Sequence, residues 1–526
     1  MKRQFLYILI FISFFTACLD SPDMTTGIVN GKEKPTVETD ATGTLYNNGN
    51  LLIQGKILSE GKSKISKRGF YWGYVSDKLD STIESYDNTD IFTCELMDVL
   101  GDTTYYWRAF ATNDFGYELA DSVYFFRTPK DEPEVVTISI DTLINDGIIL
   151  FKGEIKSQGR SEIIERGFYW SAVSNNPDST DNIIRIADAD SDSFSVELKG
   201  VSGNSTYYCR AYAINSSDYY GYGDILSCKA PEIWEQKNPL NTVYHRGSGA
   251  VYTVNNKIYI TCGEKEGRVP TSENWEYGIT TGTWANLFDF PYGARIELSV
   301  FTIGNLAYLG TGRSSSQQEG INDFYMYDSA IDKWAEIATP ENFAARYLAT
   351  AFSLNGKGYV VGGYGTSALN DVWQYDPVKN SWERKDDFPA SAFYGGISVF
   401  GNNRAFAGLG RASGSARILW EYIEEKDEWI PYTEELPYEA GRIIYSGVII
   451  RNTIYIVDSN NVIWACDISS ETKTWKKKAD LPENLLWGEH KESGYQTLLT
   501  TGNSNSIYVG LGYTINLYEY RPLWDN

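Results

Sequence analysis

The stretch GKGYVVGGYGTSALNDVWQYDPVKNSW, residues 356–382, decides the fold. An apolar run ends in Gly362-Gly363, an alternating run follows from Ala368, and an Asp376-Pro377 turn leads to Trp382. Alternation of apolar and polar residues marks a half-buried strand, and glycine lets a strand end turn where a side chain would clash. The plan recurs along the chain. Trp234, Trp284, Trp334, Trp382, Trp429, Trp475 and Trp524 are separated by 50, 50, 48, 47, 46 and 49 residues. A period of about fifty residues names an architecture of stacked units. Tyr277, Tyr327, Tyr375 and Tyr422 each stand seven residues before their tryptophan. Tyr259, Tyr308, Tyr359, Phe406, Tyr455 and Tyr508 keep a ring in the strand before the glycines, which hold as Gly263, Gly312, Gly363, Gly410 and Gly512, with Ser459 in the fifth repeat.

On these residues, 231–526 resembles a kelch repeat β-propeller with six blades. The resemblance implies four-stranded blades that cannot bury both faces alone and so pack against their neighbours around a central channel. Trp524 lies two residues from the C-terminal end of the sequence and leaves the last blade without an outer strand. PEIWEQKNPL, around Trp234, is expected to supply it by pairing with the segment around Tyr518.

Composition points the same way. Tyr 39, Trp 15, Phe 23 and Gly 47 against Met 4 is a mixture of strand formers and turn residues. The fold class expected is all-β, two β-sandwich domains followed by the propeller. A net charge of -23 repels phosphate backbones and anionic lipid surfaces, so nucleic acid is not an expected partner.

The opening MKRQFLYILIFISFFTAC places Lys2 and Arg3 before an apolar run too short to span a bilayer, the pattern of an export signal over 1–17. Phe15-Thr16-Ala17-Cys18 resembles a bacterial lipobox, with Phe15 where leucine is commoner. That resemblance implies lipidation of Cys18, a membrane anchor in the outer membrane of a Gram-negative bacterium, and surface exposure or a periplasmic face. An ordinary signal peptide with a coincidental cysteine is the alternative. Residues 18–33 lack apolar periodicity and read as a flexible tether.

Two copies of one domain follow, at about 34–129 and 130–230. TTYYWRAFATN (103–113) matches STYYCRAYAIN (205–215) at an offset of 102, and KRGFYWG from Lys67 matches ERGFYWS from Glu165 at 98. Their short alternating strands resemble fibronectin type III or immunoglobulin-like sandwiches, modules that usually act as spacers. By period two, Tyr105, Tyr207, Trp107, Ala109 and Ala111 face inward.

At the same offset Trp107 corresponds to Cys209 and Phe126 to Cys228. Residues that substitute as a pair on neighbouring strands are expected in contact, so a Cys209–Cys228 disulfide is expected in an exported protein. Cys94, Cys262 and Cys466 read as buried free thiols. No cysteine or histidine spacing suits a metal, and no cofactor is expected.

With only His245 and His490, a histidine-based triad or a multi-histidine metal site lacks raw material. The better lead is a recurring arginine. Arg246, Arg295, Arg346 and Arg442 follow Trp234, Trp284, Trp334 and Trp429 by 12, 11, 12 and 13 residues; Phe393 and Tyr394 hold the slot in repeat four, and His490 and Lys491 lie near it in repeat six. In propellers these loops gather at one mouth of the channel, beside those carrying Arg268, Arg313, Arg411 and Arg417. A ring of guanidiniums there would focus anions and bind carboxylates in a bidentate fashion. In the kelch repeat such an arginine also serves to tie a loop to the next blade, and both roles stay open. Tyr244, Tyr292, Tyr347 and Tyr394 are candidates to stack on sugar rings or to pack blades.

Three functions fit. The first is a non-enzymatic envelope lipoprotein whose propeller binds a glycan, acidic sugars included, or a protein. The second resembles the kelch-fold N-acetylneuraminate epimerases, with Glu297, Glu489 or His490 as proton-transfer groups. The third is an adhesion or assembly scaffold.

Overall fold

The computed structural model describes residues 33–525 except 47–48, 188–190, 241–246, 266, 268, 315–318, 390–392, 412–416, 438–443, 486–498, 503–504 and 511–515. Cys18, Arg246, Arg268, Arg442, Glu489 and His490 therefore lie outside the described residues. Contacts divide the chain into two units: one comprises the first sandwich with 157–164 and 214–221, the other comprises 135–156, 165–213 and 222–526.

In the first sandwich a three-stranded sheet orders Thr36–Leu45, Leu51–Ser59 and Ile91–Leu96. The facing sheet orders Ser81–Glu84, Lys67–Gly73, Thr104–Asn113 and Gly116–Leu119, with Tyr124–Arg127 also pairing Thr104–Asn113. Alternation in Thr104–Asn113 turns Tyr105, Trp107, Ala109 and Ala111 into a core with Leu51, Ile53, Phe70 and Phe92. The Tyr105 hydroxyl, at the rim of that core, accepts the Leu100 N–H at 2.8 Å.

The second copy repeats the arrangement with Glu134–Leu143, Ile148–Ser157 and Ser193–Leu198 opposite a sheet built on Ile163–Ser171 and Thr206–Asn215. Its register corrects the expected disulfide. Tyr207 stands opposite Cys228, and Cys209 opposite Leu226, so the two thiols are diagonal rather than facing. Diagonal neighbours lie roughly 7–8 Å apart, beyond the usual reach of about 4.4–6.8 Å between bridged Cα atoms. Both cysteines are free, as are the buried Cys94, Cys262 and Cys466.

The propeller has six four-stranded antiparallel blades. Blade one runs through Ala250–Val254, Lys257–Thr261, Asn274–Gly278 and Thr283–Asn286, and blades two to five repeat that order. Blade six takes Leu499–Gly502, Ile507–Gly510 and Leu517–Tyr520 from the C-terminal end of the sequence and Trp234–Lys237 from ahead of blade one, with Trp234 opposite Tyr520 and Gln236 opposite Tyr518. This closure joins the first and last segments of the ring. Its like-charged cross-strand pair, Glu235 and Glu519, is neutralised by Lys237, 2.7 Å from each, and by Arg521.

The repeated aromatics explain why the blades stack. Each outer-strand tryptophan faces its tyrosine across the hairpin: Tyr277 and Trp284, Tyr327 and Trp334, Tyr375 and Trp382, Tyr422 and Trp429. Each second-strand ring then meets the tyrosine of the next blade. Tyr259 touches Tyr327 at 6.0 Å, Tyr308 touches Tyr375 at 5.4 Å, Tyr359 touches Tyr422 at 5.3 Å, Tyr455 touches Tyr520 at 6.4 Å, and Tyr508 touches Tyr277 at 6.4 Å. Between blades four and five Cys466 replaces the tyrosine opposite Trp475, and that joint packs Phe406 and Trp475 among aliphatic side chains without the tyrosine pair. Indole N–H groups fasten successive blades as well: Trp284, Trp334 and Trp382 donate to the carbonyls of Asn238, Phe288 and Ala338, each four residues after the preceding tryptophan.

Trp524 departs from the expected series. It lies in the 3-10 turn Pro522–Trp524, outside any blade, and is 1% exposed. Its indole N–H donates to the Ile144 carbonyl of the second sandwich at 3.0 Å, and its carbonyl accepts the Gly203 N–H at 2.6 Å.

Candidate functional site

The inner strands enclose a channel cavity of about 340 Å³ lined by 298–302, 349–351, 396–400 and their equivalents in blades one and five. The residues just before these segments adopt the left-handed conformation: Ser248 (φ 54), Glu297 (φ 58), Leu348 (φ 54) and Gly395 (φ 57). They are chained across blades by backbone bonds from Glu297 N to Ser248 O (2.8 Å), Leu348 N to Glu297 O (3.2 Å) and Gly395 N to Leu348 O (2.9 Å). This arc defines the mouth. A two-residue bridge precedes each of its members and pairs it with the strand-end loop of its own blade: Gly247 with Glu264, Ile296 with Arg313, Tyr347 with Tyr364, and Tyr394 with Arg411. The glycines before the loop residues are required, because a Cβ on Gly312, at φ 89, would stand 2.7 Å from the Ile296 carbonyl.

Arg295 and Arg346, for which binding a ligand and tying a loop were both open, are turned into the fold. Arg346 has no exposed surface; its guanidinium meets Asp371 at 2.5 and 2.8 Å, donates to the Gly362 and Ala344 carbonyls at 2.9 Å each, and lies 3.9 Å from the Phe343 ring centre. Arg295, 3% exposed, pairs with Asp323 and donates to the Tyr292 carbonyl at 3.3 Å. Each arginine clamps the loop entering a blade to the third strand of that blade. Tyr292 stacks on Tyr325 at 3.8 Å, so it belongs to this packing. Arg417 likewise donates to the Leu436 carbonyl, a loop tie, at 2.8 Å.

Among the described residues the mouth is a mixed arc. Arg313, 8% exposed, pairs with Glu297, 7% exposed, at 2.6 Å and lies 4.2 Å from the Tyr347 ring centre. Burial pushes the Glu297 carboxyl above its ordinary range; the Arg313 hydrogen bond and charge oppose this, and nearby Glu264 reinforces it. Tyr347 leads to Tyr364 at 5.6 Å, and Tyr364 to Tyr394 at 5.1 Å, all three half-buried, and the arc ends at exposed Arg411. Adjoining half-buried rings, an exposed guanidinium and a buried carboxylate suit a small polar ligand with apolar faces.

Tyr364, Asp323 and Asp371 are the functional residues the sequence reading missed. The signal for the two acids was present. Asp323 stands just before the third strand Phe324–Asp328 of the blade that carries Arg295, and Asp371 within the third strand Ala368–Asp376 of the blade that carries Arg346, while repeat four has Phe393 in the arginine slot and Ile418 in the acid slot. Among the described residues no group of three or more His, Cys, Asp and Glu could hold a metal ion.

With this geometry, the second unit holds a kelch-type β-propeller. Residues 226–406 match the KLHDC2/KLHL20/DRC7 Kelch-repeats domain. Similar proteins include Kelch-like protein 23 of Homo sapiens, 25% identical over 48% of this chain and 43% of its own length, so the chain spans less than half of that relative. Putative F-box/kelch-repeat protein At1g27420 of Arabidopsis thaliana is 26% identical over 39% of this chain and 54% of its own. N-acetylneuraminate epimerase of Yersinia enterocolitica is 32% identical over 18% of this chain and 24% of its own. A solved structure, "Structure of YjhT", aligns with 52% of this chain and 92% of its own at 14% identity and a TM-score of 0.41.

Proposed function

We propose that the protein is a cell-envelope lipoprotein, exported and anchored through Cys18, whose propeller binds a saccharide at the tyrosine mouth without transforming it. The two sandwiches, read as fibronectin type III-like modules, serve as spacers. The observation that carries the reading is the half-buried pair Tyr364 and Tyr394, continued by Tyr347, beside exposed Arg411, an aromatic surface for a pyranose and a charged donor for an acidic substituent. Calorimetric titration of a panel of neutral and acidic oligosaccharides tests it. A saturable ligand is expected, weakened at least about tenfold in Tyr364→Ala, Tyr394→Ala, a loss in keeping with removal of central aromatic contacts. An affinity unchanged in that variant would remove the site. The anchor is checked separately by mass spectrometry of the mature N-terminus, where an unmodified Cys18 would contradict it.

Glu297 favours a second reading, a sugar-acid mutarotase like the epimerase relative. A buried carboxyl raised above its ordinary range by burial can both take and return a proton, and Arg313 holds it in place. Proton NMR of anomer exchange in N-acetylneuraminate decides: exchange faster than in buffer, and abolished by Glu297→Gln, supports the enzyme, and the buffer rate discards it.

A further inference from the structure

A second cavity, of about 560 Å³, opens where the second sandwich meets blade five, far along the chain from the mouth residues. Its base is formed by Tyr455 and Ala465, cross-strand neighbours on one face of the blade and both buried. Lys476 stands opposite Ala465 on the outer strand, and Lys478 follows on the same face. Two loops of the second sandwich form the other wall and contribute Asp146 and Lys199. Arg451, in a left-handed turn at φ 52, reaches across to the Asn145 carbonyl at 2.8 Å and to Asp146 at 3.3 Å, fixing the two walls to each other.

The charge of this lining opposes that of the protein. Lys199, Arg451, Lys476 and Lys478 face only Asp146 and Asp467, in a chain whose net charge is -23. Arg451 is matched by Asp146, and Lys199 lies 3.3 Å from Glu197. Lys478 is held by the Asp525 backbone carbonyl, which is not a countercharge. Among the described residues exposed Lys476 forms no ion pair. An excess of cations in a concave site raises the local anion concentration. Thr453, Ser470, Thr472 and Thr474 add hydroxyls to the same wall, groups that bond to sugar hydroxyls as readily as to an oxyanion. The cavity falls in the range of about 300–1,000 Å³ typical of small-molecule sites, more room than one tetrahedral anion fills.

We propose that this cavity binds a monosaccharide bearing a phosphate or sulfate ester, with the ester at Lys199 and Lys476 and the sugar hydroxyls along the threonines. The site is independent of the tyrosine mouth, so either can fail without the other.

Titration calorimetry of the full chain at low salt, with glucose-6-phosphate, glucose-6-sulfate and glucose as probes, tests it. One or both esters should bind saturably, and which of them does identifies the anion; glucose should not. Lys199→Ala, Lys476→Ala, which alters exposed side chains, should weaken ester binding at least about tenfold, while Tyr364→Ala, Tyr394→Ala leaves it unchanged. Lack of saturable binding by either ester would overturn the proposal, as would equal binding of glucose or an ester affinity that the lysine double variant does not change.

Discussion

With no exposed surface and a bidentate grip on Asp371, Arg346 is consumed by the fold, and its removal should register as stability rather than affinity. Asp371→Ala would leave that guanidinium buried and unpaired, at a cost of about 3–5 kcal/mol in urea unfolding of the propeller. The pair also predicts acid sensitivity. Burial alone would raise the Asp371 carboxyl, but the Arg346 hydrogen bonds and charge, with the Trp373 N–H, hold it below its ordinary range. A carboxyl depressed in the folded state contributes stability above its unfolded pKa and loses that contribution as the pH falls through the folded value. Asp371→Asn should therefore flatten the dependence of stability on pH below about 4, which denaturant titrations at several pH values would show. An unaltered slope would assign the acid response to other carboxylates. Part of this was legible in the chain: the arginine recurs with the repeat, and the acid is present in repeats two and three where the arginine is, and absent in repeat four where it is not. What charge and spacing alone could not give was direction, because a guanidinium at a loop is equally compatible with a ligand and with an aspartate two strands away.

Among the elements, the 3-10 turn Pro522–Trp524 has the most specific task. It seals blade six after the closing strand and, through Trp524, ties the propeller to the second sandwich. Trp524→Ala should cost about 3–5 kcal/mol, as truncation of a fully buried tryptophan does, and should expose the 144–148 turn to proteolysis before the blades unfold. Simultaneous loss of both would place the turn's contribution elsewhere. The indole spacing suggested seven equivalent positions, but the last is coincidence of period: Trp234 fills the outer-strand place of blade six, which leaves Trp524 free for another use. Strand elements were otherwise legible, since alternation and the glycine ends are local signals. The Cys209 and Cys228 pairing was not, because matching two copies identifies neighbours without fixing whether they face directly or lie one step apart in register.

For the whole molecule, six similar blades make a ring whose joints are mostly aromatic pairs. The joint between blades four and five lacks the tyrosine, having Cys466 instead. Cys466→Tyr, with its added volume in a packed site, should destabilise the ring by about 1–3 kcal/mol despite restoring the repeat; a rise in melting temperature would show that the joint has room to spare. The ring followed from the period together with the resemblance to kelch repeats, and its closure from the places of Trp234 and Trp524, whereas the composition of the mouth did not, because the side chains there depart from the repeat. The central claim, that the mouth of the channel is where a saccharide is held, is tested most directly by a crystal structure of the full chain with an oligosaccharide from the binding panel. The account predicts sugar density against Tyr364 and Tyr394 with a polar substituent toward Arg411; density only on the outer blade edges or the sandwich strands, with the mouth empty, would contradict it.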